Sequence, residues 1–157
     1  MLTIGYTNEF SEQAEAVIPE RLETYNPNGR TREQHKQDIF IGEVTELAAL
    51  KHLNLEKSKY SFYDGLSEEG EKYEIKSTRF YSESNKWWNM STDYSYFKQN
   101  CHNINYIVLT TIQEDEVKLL YKADAPSFYK YVCPSNSGNG YYYNQYKAMQ
   151  NGDCISY

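Results

Sequence analysis

The run Ile104-Asn105-Tyr106-Ile107-Val108-Leu109-Thr110-Thr111-Ile112 constrains this chain more than any other segment. It is an almost unbroken series of β-branched, aliphatic and aromatic residues, the pattern of a strand buried on both faces rather than one alternating between core and water. Such a strand needs a covering layer on each side, which points to a sheet flanked by helices. A chain of 157 residues with 39% hydrophobic content can build one such core without disulfides. Glu116-Val117-Lys118-Leu119-Leu120-Tyr121 follows across a Gln113-Glu114-Asp115 turn and is expected to pair with the central strand as a hairpin.

The remaining elements are read around that strand. Apolar residues at helical spacing through Phe40, Val44, Leu47 and Ala48 predict a helix over 37–53 with that stripe on the sheet. Two further helices are expected, one over 91–100 between cap-like and basic residues, and a short one over 125–132 with Pro126 in its first turn. At the N-terminus, Phe10, Ala14 and Val17 suggest a helix within 9–24 interrupted by Pro19, before a turn at Asn26-Pro27-Asn28-Gly29. The ending 151–157 reads as a last edge strand. The expected architecture is therefore α/β (α+β), a central mixed β-sheet flanked by helices. A single domain is expected over 1–157, with an N-terminal helical extension (1–36), a core (37–132) and a polar aromatic C-terminal segment (133–157).

Chemistry concentrates in the middle of the chain. Gly70 to Thr78 reads as a strand, so Glu74 and Lys76 share a face. Tyr60-Ser61-Phe62-Tyr63-Asp64 reads as a shorter aromatic strand, and the polar stretch from Gly65 to Gly70 as the loop between them. A hairpin of that form sets Asp64 beside Glu74. Two carboxylates at one point suit Mg²⁺ (or Mn²⁺ in its place), which prefers hard oxygen ligands, keeps several waters and takes one or two carboxylates from a protein. Lys76 would orient a metal-bound water or balance the charge of a phosphoryl transition state. Glu43 and Glu46 lie three apart on one side of the 37–53 helix, near the edge of its apolar stripe, and one of them could reach the same point. Acidic-x-Lys is a short motif, and a charged solvent face on a half-buried strand would carry it equally well.

The combination Gly42-x-x-x-Glu46 on a helix ending near Leu53, then Tyr63-Asp64, then Glu74-Ile75-Lys76-Ser77, resembles the PD-(D/E)XK nuclease superfamily, especially its small restriction-endonuclease and resolvase-type members. The similarity spans about residues 37 to 112. Tyr63 stands where the written signature has proline, and Gly65 follows the Asp where an apolar residue is usual, suggesting an early turn. The resemblance implies a restriction-endonuclease-like core and a metal-dependent endonuclease hydrolysing DNA phosphodiester bonds. Asp64 and Glu74 would bind the metal, Glu46 (Glu43 less so) would support it, and Lys76 would act at the nucleophilic water. It implies first a type II restriction endonuclease cutting duplex DNA at a specific sequence. A phage-encoded or junction-resolving nuclease would carry the same four residues, and a non-catalytic DNA-binding or interaction protein could keep the fold.

Charge argues the other way, since a formal −6 offers phosphate no overall attraction. Local basic groups remain: Arg30, Arg32, His35 and Lys36 before the helix, and Lys72, Lys76 and Arg79 around the triplet. They are phosphate contacts or an ordinary solvated surface. With 17 Tyr and the pair Trp87-Trp88, aromatic content is high. The Trp pair reads as core or interface packing, while Asn139, Tyr141 and Asn144 suit reading of base edges, with Ser77 as a further nucleic-acid contact. His35, His52 and His102 show no ligand or nucleophile spacing and read as structural or surface residues. Cys101, Cys133 and Cys154, odd in number and without metal-ligand spacing, read as reduced thiols of a cytoplasmic protein. No membrane segment is expected, and a homodimer through the N-terminal helices is expected from the two-fold symmetry of duplex DNA.

Overall fold

A computed structural model describes residues 1–5, 8–24, 29–60, 62–78, 88–90, 98–134 and 140–157, with Trp88–Met90 described as backbone. In chain order the elements are β1 (Leu2–Gly5), α1 (Asn8–Glu23), α2 (Arg32–His52), β2 (Glu56–Lys57), β3 (Gly65–Leu66), β4 (Lys72–Thr78), β5 (Trp88–Met90), β6 (Tyr106–Gln113), β7 (Glu116–Asp124), β8 (Val132–Pro134), β9 (Tyr141–Tyr143), α3 (Gln145–Gln150) and β10 (Cys154–Ser156). The chain is a mixed α/β protein.

The main sheet runs β1-β7-β6-β4-β3-β2, with β10 sharing the outer edge of β7 with β1. β6 is central, as its composition requires. It pairs parallel with β4, from Tyr73 opposite Tyr106 to Thr78 opposite Thr111, and antiparallel with β7, so the sheet is mixed. The β6–β7 connection is tighter than expected. Glu114 and Asp115 both take positive φ, at 50° and 62°, the backbone of a two-residue hairpin turn that favours Asn-Gly. A smaller sheet, β5-β9-β8, lies apart from this path.

Alternation along β4 divides the molecule. Tyr73 and Ile75 join Val44, Ala48, Ala49 and Leu50 of α2, Phe10 and Ala14 of α1, and Val108, Val117 and Leu119 in one buried cluster. Ile107 and Leu109, which pair with Glu74 and Lys76, belong to the cluster on the opposite face, with Tyr63, Cys101, Phe128, Tyr131 and Tyr143. One face of β4 thus holds up the helical layer, and the other carries Lys72, Glu74 and Lys76.

Several expectations change in the structure. α2 begins at Arg32, five residues before the apolar stripe suggested, because Thr31 and Gln34 form a reciprocal capping box. α1 continues through Pro19 to Glu23 rather than breaking there. Pro19 is exposed and in the last turns, so the bond lost at the Glu15 carbonyl leaves that group within reach of water. Residues expected as a helix over 125–132 instead form a 3-10 turn, Phe128–Tyr131, after which Val132 enters β8. The Asp124 side chain accepts the Ser127 N–H at 3.0 Å, and tight i to i+3 bonds follow from Phe128 to Ala125 and Lys130 to Ser127. β1, β8, β9 and α3 are too short for periodicity to announce. Of the helix expected over 91–100, only 98–100 are described, and they are helical. Trp87 lies outside the described residues. No helix among those described is long and apolar enough to cross a membrane.

Candidate functional site

The Asp64–Glu74 approach is built by a hairpin shorter than expected. Tyr60, Phe62 and Tyr63 are not in a strand; β3 is only Gly65–Leu66, opposite Tyr73 and Lys72 of β4. The turn starts at Ser67 rather than at Gly65, closed by Ser67 and Glu71 backbone bonding, with Gly70 at φ +82°. Gly65 is a glycine for a packing reason. A Cβ there would stand 2.6 Å from Leu50 Cδ2 and 3.0 Å from Leu55, so only a bare backbone fits so close to the end of α2.

Asp64 stands just before Gly65, the residue paired with Tyr73, and its carboxyl is close enough to Glu74 and Lys76 to feel both charges. The Asp64 amide donates to the Tyr73 carbonyl at 2.8 Å, and Asp64 Oδ2 accepts the Ile75 N–H at 2.7 Å. The side chain thereby takes a ladder position that a continuing strand would fill with backbone. That bond locks its direction. Lys76 Nζ lies 2.7 Å from Glu74 Oε1, and Glu74 is buried with only 3% of its surface exposed.

These groups are electrostatically one cluster. Burial holds the Asp64 carboxyl well above its ordinary range, at about 7, and the negative charges of Glu74 and Glu46 add to the effect. The Ile75 N–H and Lys76 act against it without cancelling it. Burial, with the charge of Glu74 adding to it, pushes the Cys101 thiol up, so that cysteine is an inert neighbour of the carboxylates.

Glu43 and Glu46 separate in role. Glu46 adds its charge to Asp64 and takes Lys57 Nζ at 3.0 Å on Oε1. Glu43, almost one turn back along α2 and buried, is ion-paired with Arg21 of α1, with Lys57 Nζ a further 3.9 Å from its other oxygen. Arg21 and Lys57 were not legible as partners. No local spacing announces them, because the contacts arise from packing α1 and β2 against α2.

The donor set suits a hard divalent cation. It is all oxygen, and one carboxylate is destabilised as an anion where a cation would relieve it. No three His, Cys, Asp or Glu side chains among the described residues close into a ready-made ligand shell. An ion using Asp64 and Glu74 and completing its shell with water is the arrangement these residues fit.

The expected nucleic-acid contacts lie elsewhere or outside view. Arg30 is ion-paired with Asp38, and Lys36 lies 3.4 Å from Glu33. Lys36 is roughly 15 Å, and Arg32 roughly 21 Å, along the α2 axis from Glu46 at 1.5 Å per residue. Lys36 also lines a cleft of about 450 Å³ with Glu15, Glu33, Glu114 and Asp115 at its polar margin and Phe40 and Ile112 among its apolar walls. Ser77 sits on β4 with the parity of Tyr73 and Ile75, on the face opposite Lys76. Tyr141 is exposed on β9, while Asn144 caps α3 by accepting the Lys147 N–H at 3.1 Å. Arg79 and Asn139 lie outside the described residues.

Compared with protein-family models and with curated proteins, the sequence matches none.

Proposed function

We propose that this protein is a Mg²⁺-dependent endonuclease with a restriction-endonuclease-like core of the PD-(D/E)XK type, hydrolysing DNA phosphodiester bonds at the Asp64–Glu74–Lys76 cluster. The observation that supports this most is the Asp64 carboxyl, fixed by the Ile75 N–H within electrostatic reach of Glu74 and Lys76, which are ion-paired with each other on β4. Asp64 and Glu74 would hold the ion, Glu46 supporting them from α2. Mn²⁺ would substitute. The ion, when bound, supplies charge neutralisation at phosphorus and an acidified water.

The protein's own residues do the positioning. The Ile75 N–H fixes Asp64 through one carboxylate oxygen, so the side chain is held before any ion arrives. Lys76 bonds to Glu74 and is half-buried, so its ammonium is held next to the place where a water would be oriented and phosphate charge would grow. Lys57 anchors Glu46 at the margin. A type II restriction endonuclease acting as a homodimer is the first biological reading. A junction-resolving or phage-type nuclease would use the same chemistry.

The test is cleavage of supercoiled plasmid and phage DNA with Mg²⁺, with EDTA, and with Lys76→Ala protein purified in parallel. Metal-dependent fragments absent from the variant are the expected result. Absence of cutting on every substrate, with DNA binding indifferent to metal, would sink the catalytic reading in favour of a DNA-binding or interaction protein.

A further inference from the structure

We infer that Tyr60, Phe62 and Lys72 form a stacking platform beside the carboxylates, so that the site takes a DNA strand carrying an unpaired base, as in single strands, forks and branches. This rests on the proposed nuclease chemistry, and within it favours the junction-resolving or phage-type reading over a duplex-cutting restriction endonuclease.

The platform is a consequence of the residues that failed to form a strand. Residues 58–60 and 62–63 lie outside any strand and are tied at their base, with the Ser58 N–H donating to the Asp64 carbonyl at 2.8 Å and the Tyr60 N–H to Ser58 Oγ at 2.9 Å. Tyr63 is buried and anchors the loop in the core. Phe62 packs edge-on to it, ring centroids 4.9 Å apart, and Tyr60 leans on both, at 6.0 Å from Phe62 and 5.9 Å from Tyr63. Yet Tyr60 is 64% exposed. A ring supported by two others and held on a tied loop offers a π-face already ordered for a flat ligand, so little entropy is lost when one binds.

Its chemistry and position suit a nucleotide. Lys72 Nζ stands 5.5 Å from the Phe62 centroid and 5.7 Å from that of Tyr63, a cation over the aromatic group. Lys72 is two residues from Glu74 on the same face of β4, a step of roughly 7 Å. That is about the reach of one nucleotide in an extended strand. Exposed Lys59 adjoins Tyr60 in sequence, and Lys57, paired with Glu46, begins the same segment, so cations line the approach to Tyr60 beside the acidic cluster. An aromatic face with cations along the backbone path is how proteins hold unpaired bases without reading their identity. A base within a duplex has its faces covered by its neighbours and offers nothing to such a ring.

The experiment is an anisotropy titration of wild-type protein, Tyr60→Ala and Tyr60→Phe with three oligonucleotides of one sequence: single-stranded, forked and blunt duplex. Ca²⁺ replaces Mg²⁺ so that binding is read without cutting. The wild type is expected to prefer the two unpaired forms, and Tyr60→Ala to weaken them by about 5- to 100-fold while leaving the duplex nearly unchanged. Tyr60→Phe should restore binding, and 2-aminopurine at the fork should be quenched by the wild type and not by Tyr60→Ala. Equal affinity for all three forms, or a Tyr60→Ala protein that binds like the wild type, overturns the platform. Cleavage of the forked oligonucleotide in Mg²⁺ by that same variant at the wild-type rate would leave the nuclease reading standing without the platform. Binding through Tyr60 in a protein that never cuts would do the reverse.

Discussion

Two carboxylate clusters lie less than one helical turn apart along α2, and they are neutralised differently. At Glu43, burial and Glu46 raise the carboxyl, but Arg21 and Lys57 oppose that and supply counter-charge from within the fold. At Asp64, burial is reinforced by Glu74 and Glu46, and the opposing Ile75 N–H and Lys76 leave the group at about 7. The first cluster is a joint between α1 and α2. In the second, among the described residues, burial and the neighbouring carboxylates outweigh the Ile75 N–H and Lys76 at Asp64, the condition under which a site gains most from an added cation.

The largest test of that contrast is functional. Asp64→Asn should lose Mn²⁺ binding, followed by calorimetry, and should lower cleavage on the order of 100-fold or more, whereas Arg21→Met should bind the ion as the wild type does. Stability should respond in the opposite sense. Arg21→Met leaves buried Glu43 with only the more distant Lys57 and is expected to cost about 1–2 kcal/mol in urea unfolding, discounted because Arg21 is half-exposed. If Arg21→Met instead abolished ion binding, the two clusters would be one site.

The pH dependence sharpens the same comparison. Asp64 holds its proton to about 7 in the folded protein and only to about 4 when unfolded. The folded state therefore binds more protons in between, and this group's contribution to stability falls as pH rises from about 4 to about 7 and is flat above. Asp64→Asn should remove that slope. It should match the wild type near pH 4 and exceed it at pH 8 by on the order of 4 kcal/mol, read from denaturation midpoints. Mg²⁺ at neutral pH should recover stability in the wild type but not in the variant. A wild-type curve already flat between pH 4 and 7 would show that Asp64 is not destabilised.

The smallest effect belongs to a control remote from both clusters. At the β6–β7 turn, Asp115→Gly relieves a positive φ and is expected to raise stability by about 0.5–1 kcal/mol without changing ion binding or cleavage.

The adjacency of Asp64 and Glu74 was legible because it depends on short-range rules, the period of two along β4 and a hairpin too short to place them elsewhere. Its construction was less so. The aromatic residues Tyr60, Phe62 and Tyr63 have strand propensity, yet tertiary packing left them outside any strand as a group of tilted and edge-on rings, since β-propensity yields to what a side chain can pack against. The capping box at Thr31 was visible in the letters T-R-E-Q and outweighed the end of the apolar stripe as a start signal.

What the sequence determined by itself is therefore the central strand, the long helix and the spacing of three charged residues, all set by periodicities that survive in any fold. What only the tertiary structure decided is which carboxylates share an electrostatic fate. Glu43 and Glu46 are equivalent as letters three apart on a helix. Arg21, 22 residues before Glu43, and Lys57, 11 after Glu46, tell them apart, and such pairings exist only once α1 and β2 have packed against α2.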